Sequence, residues 1–264
     1  MYKRQVWAKA APVTVDMSKE EYYTLGAYEH VDLTTFDVVW MRQLPPVDMS
    51  YITATYILDH LKNAGVLVTN DPTSIRNIPE KLSIFEFPDL IPPTLVSKDK
   101  DQIKTFFETH KDIIVKPLYL FFGSGVERAQ QFKDIEDKID QSEEPLMFQR
   151  FIPEIEDGNK RIVLFNGEII AAAKNIPGKD DFLLERDGTN KTYDLNDRDK
   201  EICERIKPLL KKNNVDFAGL DIIGPYLTEI NITCVGSLRT LNQVHGLKSE
   251  SILWDLVEKK AKAL

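Results

Sequence analysis

Asp221-Ile-Ile-Gly-Pro-Tyr-Leu-Thr-Glu229-Ile-Asn231 is the stretch of this 264-residue chain that says most about its fold. Side chains alternate between faces along a strand, so Glu229 and Asn231 share one face. A three-residue turn centred on Pro225 predicts a hairpin with Asp221 opposite Glu229. Two carboxylates and an amide oxygen then converge, a hard-oxygen set that suits Mg2+. The same spacing also fits an ordinary hairpin with polar residues on its wet face. Against that, Asp221 lies in the apolar run Phe217-Ala-Gly-Leu-Asp-Ile-Ile, and two facing carboxylates repel unless a cation neutralises them.

Working outward, residues 197–212 read as a helix. Arg161-Ile-Val-Leu-Phe165 and Glu168-Ile-Ile-Ala-Ala172 flank Asn166-Gly167, the signature of a type I′ hairpin. Residues 178–194 are charged and irregular and are expected to form a mobile loop. Leu146-Met-Phe-Gln-Arg-Phe-Ile152 and Asp112-Ile-Ile-Val-Lys116 are predicted strands, and 101–110 a helix. Nearer the start, Phe36-Asp-Val-Val-Trp-Met41, a helical face over 49–63 ended by Gly65, and Val66-Leu-Val-Thr69 form a β–α–β order that suggests a parallel sheet. Residues 74–76 and the segment near Glu80 read as helical, 88–93 as a proline-rich subdomain boundary, and 249–263 as a last helix. Residues 1–35 are polar and show no clean period.

The net charge of −8 and the absence of a basic block argue against nucleic acid or an anionic membrane surface as partner. No apolar run approaches the roughly 20 residues of a membrane span, and the N-terminus has no signal-peptide core, so a cytoplasmic location is expected. Cys203 and Cys234 form no metal-ligand spacing, which leaves a disulfide between them open, and the four histidines are scattered. An apolar share of 42% is enough for a substantial core.

Three cations stand out. Lys116 ends an apolar strand, from which it could reach a phosphate across the sheet edge; Lys81 lies in Pro79-Glu-Lys-Leu-Ser; Arg161 opens a hairpin strand after Asp157-Gly-Asn-Lys160. Taken singly, the two lysines read first as ordinary surface lysines, and Arg161 reads equally as a solvated turn charge.

Together these segments resemble prokaryotic-type glutathione synthetase, a family of ATP-grasp ligases. Asp37-Val-Val-Trp-Met-Arg42, Pro45-Pro-Val-Asp48, Tyr51-Ile-Thr-Ala-Thr-Tyr56, Asn70-Asp-Pro72, Glu80-Lys-Leu82, Lys116-Pro-Leu118, Asp157-Gly-Asn-Lys-Arg161, Gly219-Leu-Asp-Ile-Ile-Gly224 and Leu227-Thr-Glu-Ile-Asn231 run in family order. The resemblance implies an α/β ATP-grasp fold, with a substrate-side unit at 1–78 and a nucleotide-binding module at 79–264, itself divided at about 148/149. It implies that Lys81 and Lys116 contact the ATP phosphates, and that Gln149, Arg150, Phe151 and Ile152 offer backbone groups to adenine. Asp221, Glu229 and Asn231 would hold Mg2+, with Mn2+ as the alternative. Arg42 would lie near the peptide substrate, and Lys160 and Arg161 near the triphosphate as catalytic cations. The implied reaction joins glycine to γ-glutamylcysteine through an acyl phosphate. A homo-oligomer also fits the resemblance.

Four features depart from the family pattern. A β–α unit expected ahead of Tyr23-Thr-Leu-Gly-Ala-Tyr28 is missing, so the N-terminal α/β unit is expected to be incomplete. The phosphate-covering loop reads Tyr119-Leu-Phe-Phe-Gly-Ser-Gly125, with bulky residues where small ones belong. The segment over the site reads Gly178-Lys-Asp-Asp-Phe-Leu-Leu-Glu-Arg-Asp-Gly188, and Thr233-Cys-Val-Gly236 replaces Ser-Pro-Thr. Twelve glycines, below the usual share of ~7%, fit these losses. The expected function is an active synthetase with a divergent lid. The alternatives are a ligase for another carboxylate, or a catalytically impaired protein that binds Mg-ATP without ligation.

Overall fold

The computed structural model describes residues 5–121, 123–178 and 189–264. Where the sequence shows no period, four short strands form two antiparallel pairs. They are β1 (Trp7–Ala10), β2 (Val13–Val15), β3 (Tyr23–Leu25) and β4 (Glu29–Asp32), with β1 on β4 and β2 on β3. Strands of three and four residues are too short for a hydrophobic alternation to be read. β5 (Val38–Trp40), α1 (Met49–Lys62) and β6 (Leu67–Thr69) form the expected β–α–β unit, with β5 and β6 parallel. Asp48 caps α1 by accepting from the Tyr51 amide at 2.8 Å. α2 (Pro72–Asn77) follows, with proline in its first turn and Asp71 as its cap.

The next layer is a four-stranded antiparallel sheet. It holds β7 (Thr94–Ser97), β8 (Ile113–Pro117), β9 (Glu127–Ala129) and β10 (Leu146–Arg150) in the order β7-β10-β8-β9. α3 (Lys100–His110) and α4 (Lys133–Gln141) cover one face of it. Ile103, Phe107, Ile135 and Ile139 pack there on Ile113, Val115, Leu146 and Phe148. α4 was hidden in a charged stretch because only Ile135 and Ile139, four apart, mark its buried face.

The third layer is a five-stranded antiparallel sheet in the order β13-β12-β11-β14-β15. Its strands are β11 (Asn159–Phe165), β12 (Glu168–Ile176), β13 (Thr189–Thr192), β14 (Phe217–Ile223) and β15 (Tyr226–Asn231). Asn166 and Gly167 both have positive φ, as the type I′ turn between β11 and β12 requires. α5 (Asp197–Lys212) covers the face carrying Ile162, Leu164, Leu220 and Ile222. α6 (Leu238–His245) and α7 (Ser249–Ala261) pack on Val163, Phe165 and Phe217 of the other. β13 falls inside the stretch expected to be irregular, and residues 179–188 of that stretch lie outside the described residues. Both cysteines are free, so the disulfide left open by the sequence is not formed. Among the described residues no helix is long and apolar enough to cross a membrane.

Asn70 joins the β5–β6 unit to this third sheet. Its buried amide donates to the Phe217 and Ile232 carbonyls, each at 2.7 Å, and accepts from the Phe217 amide at 2.7 Å. Asn70→Ala strands three buried backbone groups and is expected to cost about 3 kcal/mol, read as a lower urea midpoint in equilibrium unfolding.

Candidate active site

The hairpin at the end of the third sheet builds the site, though not through the expected turn. Ile223 pairs with Tyr226 across a two-residue Gly224-Pro225 turn, and a bulge at Thr228 restores Asp221 to a place opposite Glu229. The Thr228 hydroxyl donates to the Asp221 carbonyl at 3.1 Å. β11 lies on the other side of β14 and puts Arg161 opposite Asp221. Arg161, Asp221 and Glu229 therefore form a row of alternating charge across three strands.

Asp221 is the hub of that row. It accepts from Arg161 Nε at 2.6 Å and Nη2 at 2.9 Å, from Asn159 Nδ2 at 3.2 Å and from Asn231 Nδ2 at 2.9 Å. Glu229 pairs instead with Lys81, Oε1 to Nζ at 3.2 Å, and Lys81 also donates to the Leu120 carbonyl at 2.7 Å. Lys116 donates to Gln149 Oε1 at 2.5 Å, and Gln149 Nε2 donates to Thr94 Oγ1 at 3.1 Å.

Glu80 is a residue that sequence reasoning passed over. Its Oε1 accepts from the amides of Ile232 and Thr233, both at 2.9 Å, and from the Thr233 hydroxyl at 2.8 Å. These bonds moor the segment carrying Lys81 along the end of β15. The signal available was a carboxylate beside a candidate phosphate lysine, which is too common to be read alone.

Charge balance is tight. Removal from water raises the Glu229 pKa; Lys81 and Lys116 pull it back, while Asp221 and Glu80 push it further up. Removal from water also lowers the Lys116 pKa to about 8, with Lys81 adding to the shift and Glu229 and Asp221 opposing it. Burial works against the Arg161 charge, but Asp221, by charge and by hydrogen bonds, together with the charges of Glu229 and Glu80 more than offsets it and raises that pKa.

These groups line a cleft of about 400 Å³ between the second and third sheets. It gathers Lys81, Lys116, Gln149, Arg150, Phe151, Ile152, Arg161, Asp221, Glu229 and Asn231 of the expected site. Leu120, Phe121 and Gly123 of the bulky loop form part of its wall, as do Thr233 and Cys234; Phe122 is outside the described residues.

Two expected site residues are not among those lining it. Arg42 lies against the rings of Trp40 and Phe217 and donates to the Val235 carbonyl at 2.8 Å, beside the Cys234 wall. Lys160 is one residue from Arg161 and so faces the opposite side of the sheet. There it is buried and paired with Asp199, Nζ to Oδ1 at 2.5 Å. The expectation of Lys160 beside the triphosphate is corrected by this strand alternation.

Among the described residues no three His, Cys, Asp or Glu side chains gather as a metal cluster. What the cleft holds is two carboxylates and an amide at paired positions. Arg161, Asn159 and Asn231 occupy the four lone-pair sites of Asp221, so a cation there would replace one of these donors, and Glu229 lacks enough positive charge to restore its ordinary acidity. Such a set fits a hard divalent cation.

Comparison with known proteins agrees with this geometry. The family model for the prokaryotic glutathione synthetase ATP-grasp domain matches residues 80–246, and that for the N-terminal domain matches residues 1–76. The chain is 37% identical over 262 residues to a glutathione synthetase of Rhodopseudomonas palustris, covering 97% of this chain and 83% of that one. It is 38% identical over 260 residues to one of Brucella melitensis, covering 96% and 83%. The ATP-grasp ligase PsnB, complexed with precursor peptide PsnA2 and AMPPNP, shares the fold with a TM-score of 0.65 at 16% identity, over 96% of this chain and 85% of that chain. D-cycloserine synthetase DcsG does so with a TM-score of 0.61 at 14% identity, over 80% of each. The chain belongs to the prokaryotic glutathione synthetase family, and the sheets that enclose its charged cleft are those of an ATP-grasp ligase.

Proposed function

We propose that this chain is the ATP-dependent ligase that joins γ-glutamylcysteine to glycine. The observation that carries the reading is the Arg161–Asp221–Glu229 row facing Lys81 and Lys116 across one cleft, in a member of this family. A carboxylate oxygen of the dipeptide attacks the γ-phosphorus of ATP, which releases ADP and leaves an acyl phosphate. The glycine amine then attacks the acyl carbon, and phosphate departs.

The residues supply position and charge. Lys81 and Lys116 take phosphate oxygens in place of Leu120 and Gln149. The amides of Arg150 and Phe151 already donate to Pro93 and Asp112, and the Ile152 amide, with no acceptor among the described residues, is the donor for adenine. Asp221, Glu229 and Asn231 hold Mg2+, or Mn2+ through the same oxygen preference. When bound, the ion offsets charge on the phosphates during transfer. Arg161 holds Asp221 in place and adds its own charge beside the reacting oxygens. Arg42 braces the Cys234–Val235 wall on the dipeptide side. Residues 1–78 form the substrate-side unit and 79–264 the nucleotide-binding module. A reducing cytoplasm suits a thiol substrate.

Phosphate release with ATP, Mg2+, γ-glutamylcysteine and glycine tests the reading. Turnover of about 1 s⁻¹ or more supports it; Mg-ATP binding by calorimetry without any dipeptide-dependent turnover overturns it.

Lys116 gives the site a pH dependence. Its charge is lost as pH rises through about 8, so ATP affinity is expected to fall from there by up to about tenfold per pH unit. Ligand-free stability moves the other way. Between about 8 and the ordinary lysine value of 10.5 the unfolded chain binds more protons than the folded one, so stability rises with pH. Calorimetric titration from pH 6.5 to 9.5 reads the affinity, and Lys116→Gln should flatten the profile.

A further inference from the structure

We propose that Lys160 is a positioning residue for the metal end of the site, acting from the back of the sheet through the Gly224-Pro225 turn. The proposal rests on the assignment of Asp221, Glu229 and Asn231 as metal ligands.

Glu229 faces Asp221 only because the two-residue turn is followed by the bulge at Thr228. A slip of one residue would send Glu229 to the opposite face. The place of the turn therefore decides whether the ligand set exists. That turn is held by two cations reaching it from behind. Lys160 Nζ donates to the Gly224 carbonyl at 2.7 Å, and Arg198 Nε donates to the next carbonyl, Pro225 O, at 3.1 Å.

Lys160 is itself fixed. It is 4% exposed and Asp199 is 0% exposed. Asp199 Oδ2 accepts from the Tyr193 hydroxyl at 2.6 Å and the Asn196 amide at 3.1 Å, so the acceptor is part of the capping box that starts α5. A buried ammonium has three N–H donors to satisfy, and besides Asp199 it is the Gly224 carbonyl of the turn that takes one of them. The adjacent pair on β11 thus clamps the hairpin at two points. Arg161 grips the Asp221 carboxylate from the front and Lys160 the turn from the back.

The test separates positioning from charge neutralisation. Lys160→Met alone leaves Asp199 buried and unpaired, so the key variant is Lys160→Met with Asp199→Asn, which removes both charges and keeps an acceptor for Tyr193. Its melting temperature is expected within a few degrees of the parent. The Mg2+ concentration giving half of the ATP-induced rise in melting temperature is expected to increase roughly 10- to 100-fold. In the ligand-free double variant, amide exchange across residues 222–230 should be faster. Lys160→Arg, able to span the same two oxygens, should restore the Mg2+ midpoint.

A double variant with parental stability and a parental Mg2+ midpoint overturns the proposal. Should that variant not fold, Arg198→Met removes the other bond to the turn from a partly exposed side chain, and an unchanged midpoint there overturns it equally. Glu229→Gln is the reference. If it moves the midpoint and the Lys160 and Arg198 variants do not, the positioning role alone fails; if none moves it, the metal assignment fails.

Discussion

Arg161→Met is expected to lower ligation by roughly 10²- to 10³-fold and to destabilise the ligand-free protein by about 3 kcal/mol. Both effects have one cause. Asp221 sits in the buried middle of the third sheet and receives two of its hydrogen bonds from the Arg161 guanidinium, at 2.6 and 2.9 Å. Methionine fills a similar volume but supplies no donor. Asn159 and Asn231 remain, but their amides carry no net charge, so an anion is left in an apolar sheet without a counterion. In the site as proposed the same guanidinium would stand beside the reacting oxygens, so its loss is also expected to be felt in the transition state. Paired measurements of steady-state phosphate release and urea unfolding check the two halves. Activity loss with parental stability would show that Asp221 has another counterion.

Glu229→Gln is expected to remove activity to a similar extent, roughly 10²- to 10³-fold, with the opposite effect on stability. Burial holds the Glu229 carboxyl above its ordinary pKa, and Asp221 and Glu80 add repulsion. A carboxyl whose pKa is higher folded than unfolded makes the fold less stable as pH rises through that interval. At neutral pH the charge is therefore a cost, and the neutral isostere relieves it. Lys81 keeps the Leu120 carbonyl as an acceptor but loses its counterion, which offsets part of that relief. The ligand-free melting temperature should be equal to or above that of the parent, while Mg-ATP should no longer raise it. A fall in ligand-free melting temperature comparable to that of Arg161→Met would mean that the Lys81–Glu229 pair is mainly a structural bond. The contrast also defines the site. On the proposed roles Arg161 would serve the fold and the chemistry together, whereas Glu229 would be kept at a cost to the fold.

Much of the third sheet was legible because its signals are local. The Asn166-Gly167 turn, the apolar runs of β11 and β14 and the span of α5 all lie within a few residues of the features that define them. The strands before residue 35, α4 and α6 were not legible. Their buried faces consist of few residues, and what stabilises them comes from segments distant in the chain. The site divides in the same way. Lys116 and Arg161 end or open recognisable strands, so their nomination followed from pattern. The part played by Glu80 depends on its approach to Thr233, 153 residues away.

By itself the sequence determined the charge types in the cleft, the hairpin that carries Asp221, Glu229 and Asn231, and the order of motifs that marks the family. Only the tertiary structure decided which cation meets which carboxylate: Arg161 with Asp221, Lys81 with Glu229, Lys160 with Asp199. The physical reason is strand alternation combined with register. Adjacent residues such as Lys160 and Arg161 must face opposite sides of a sheet. A single bulge, at Thr228, decides which side Glu229 takes, and that bulge is held by a turn whose supports lie in other parts of the chain.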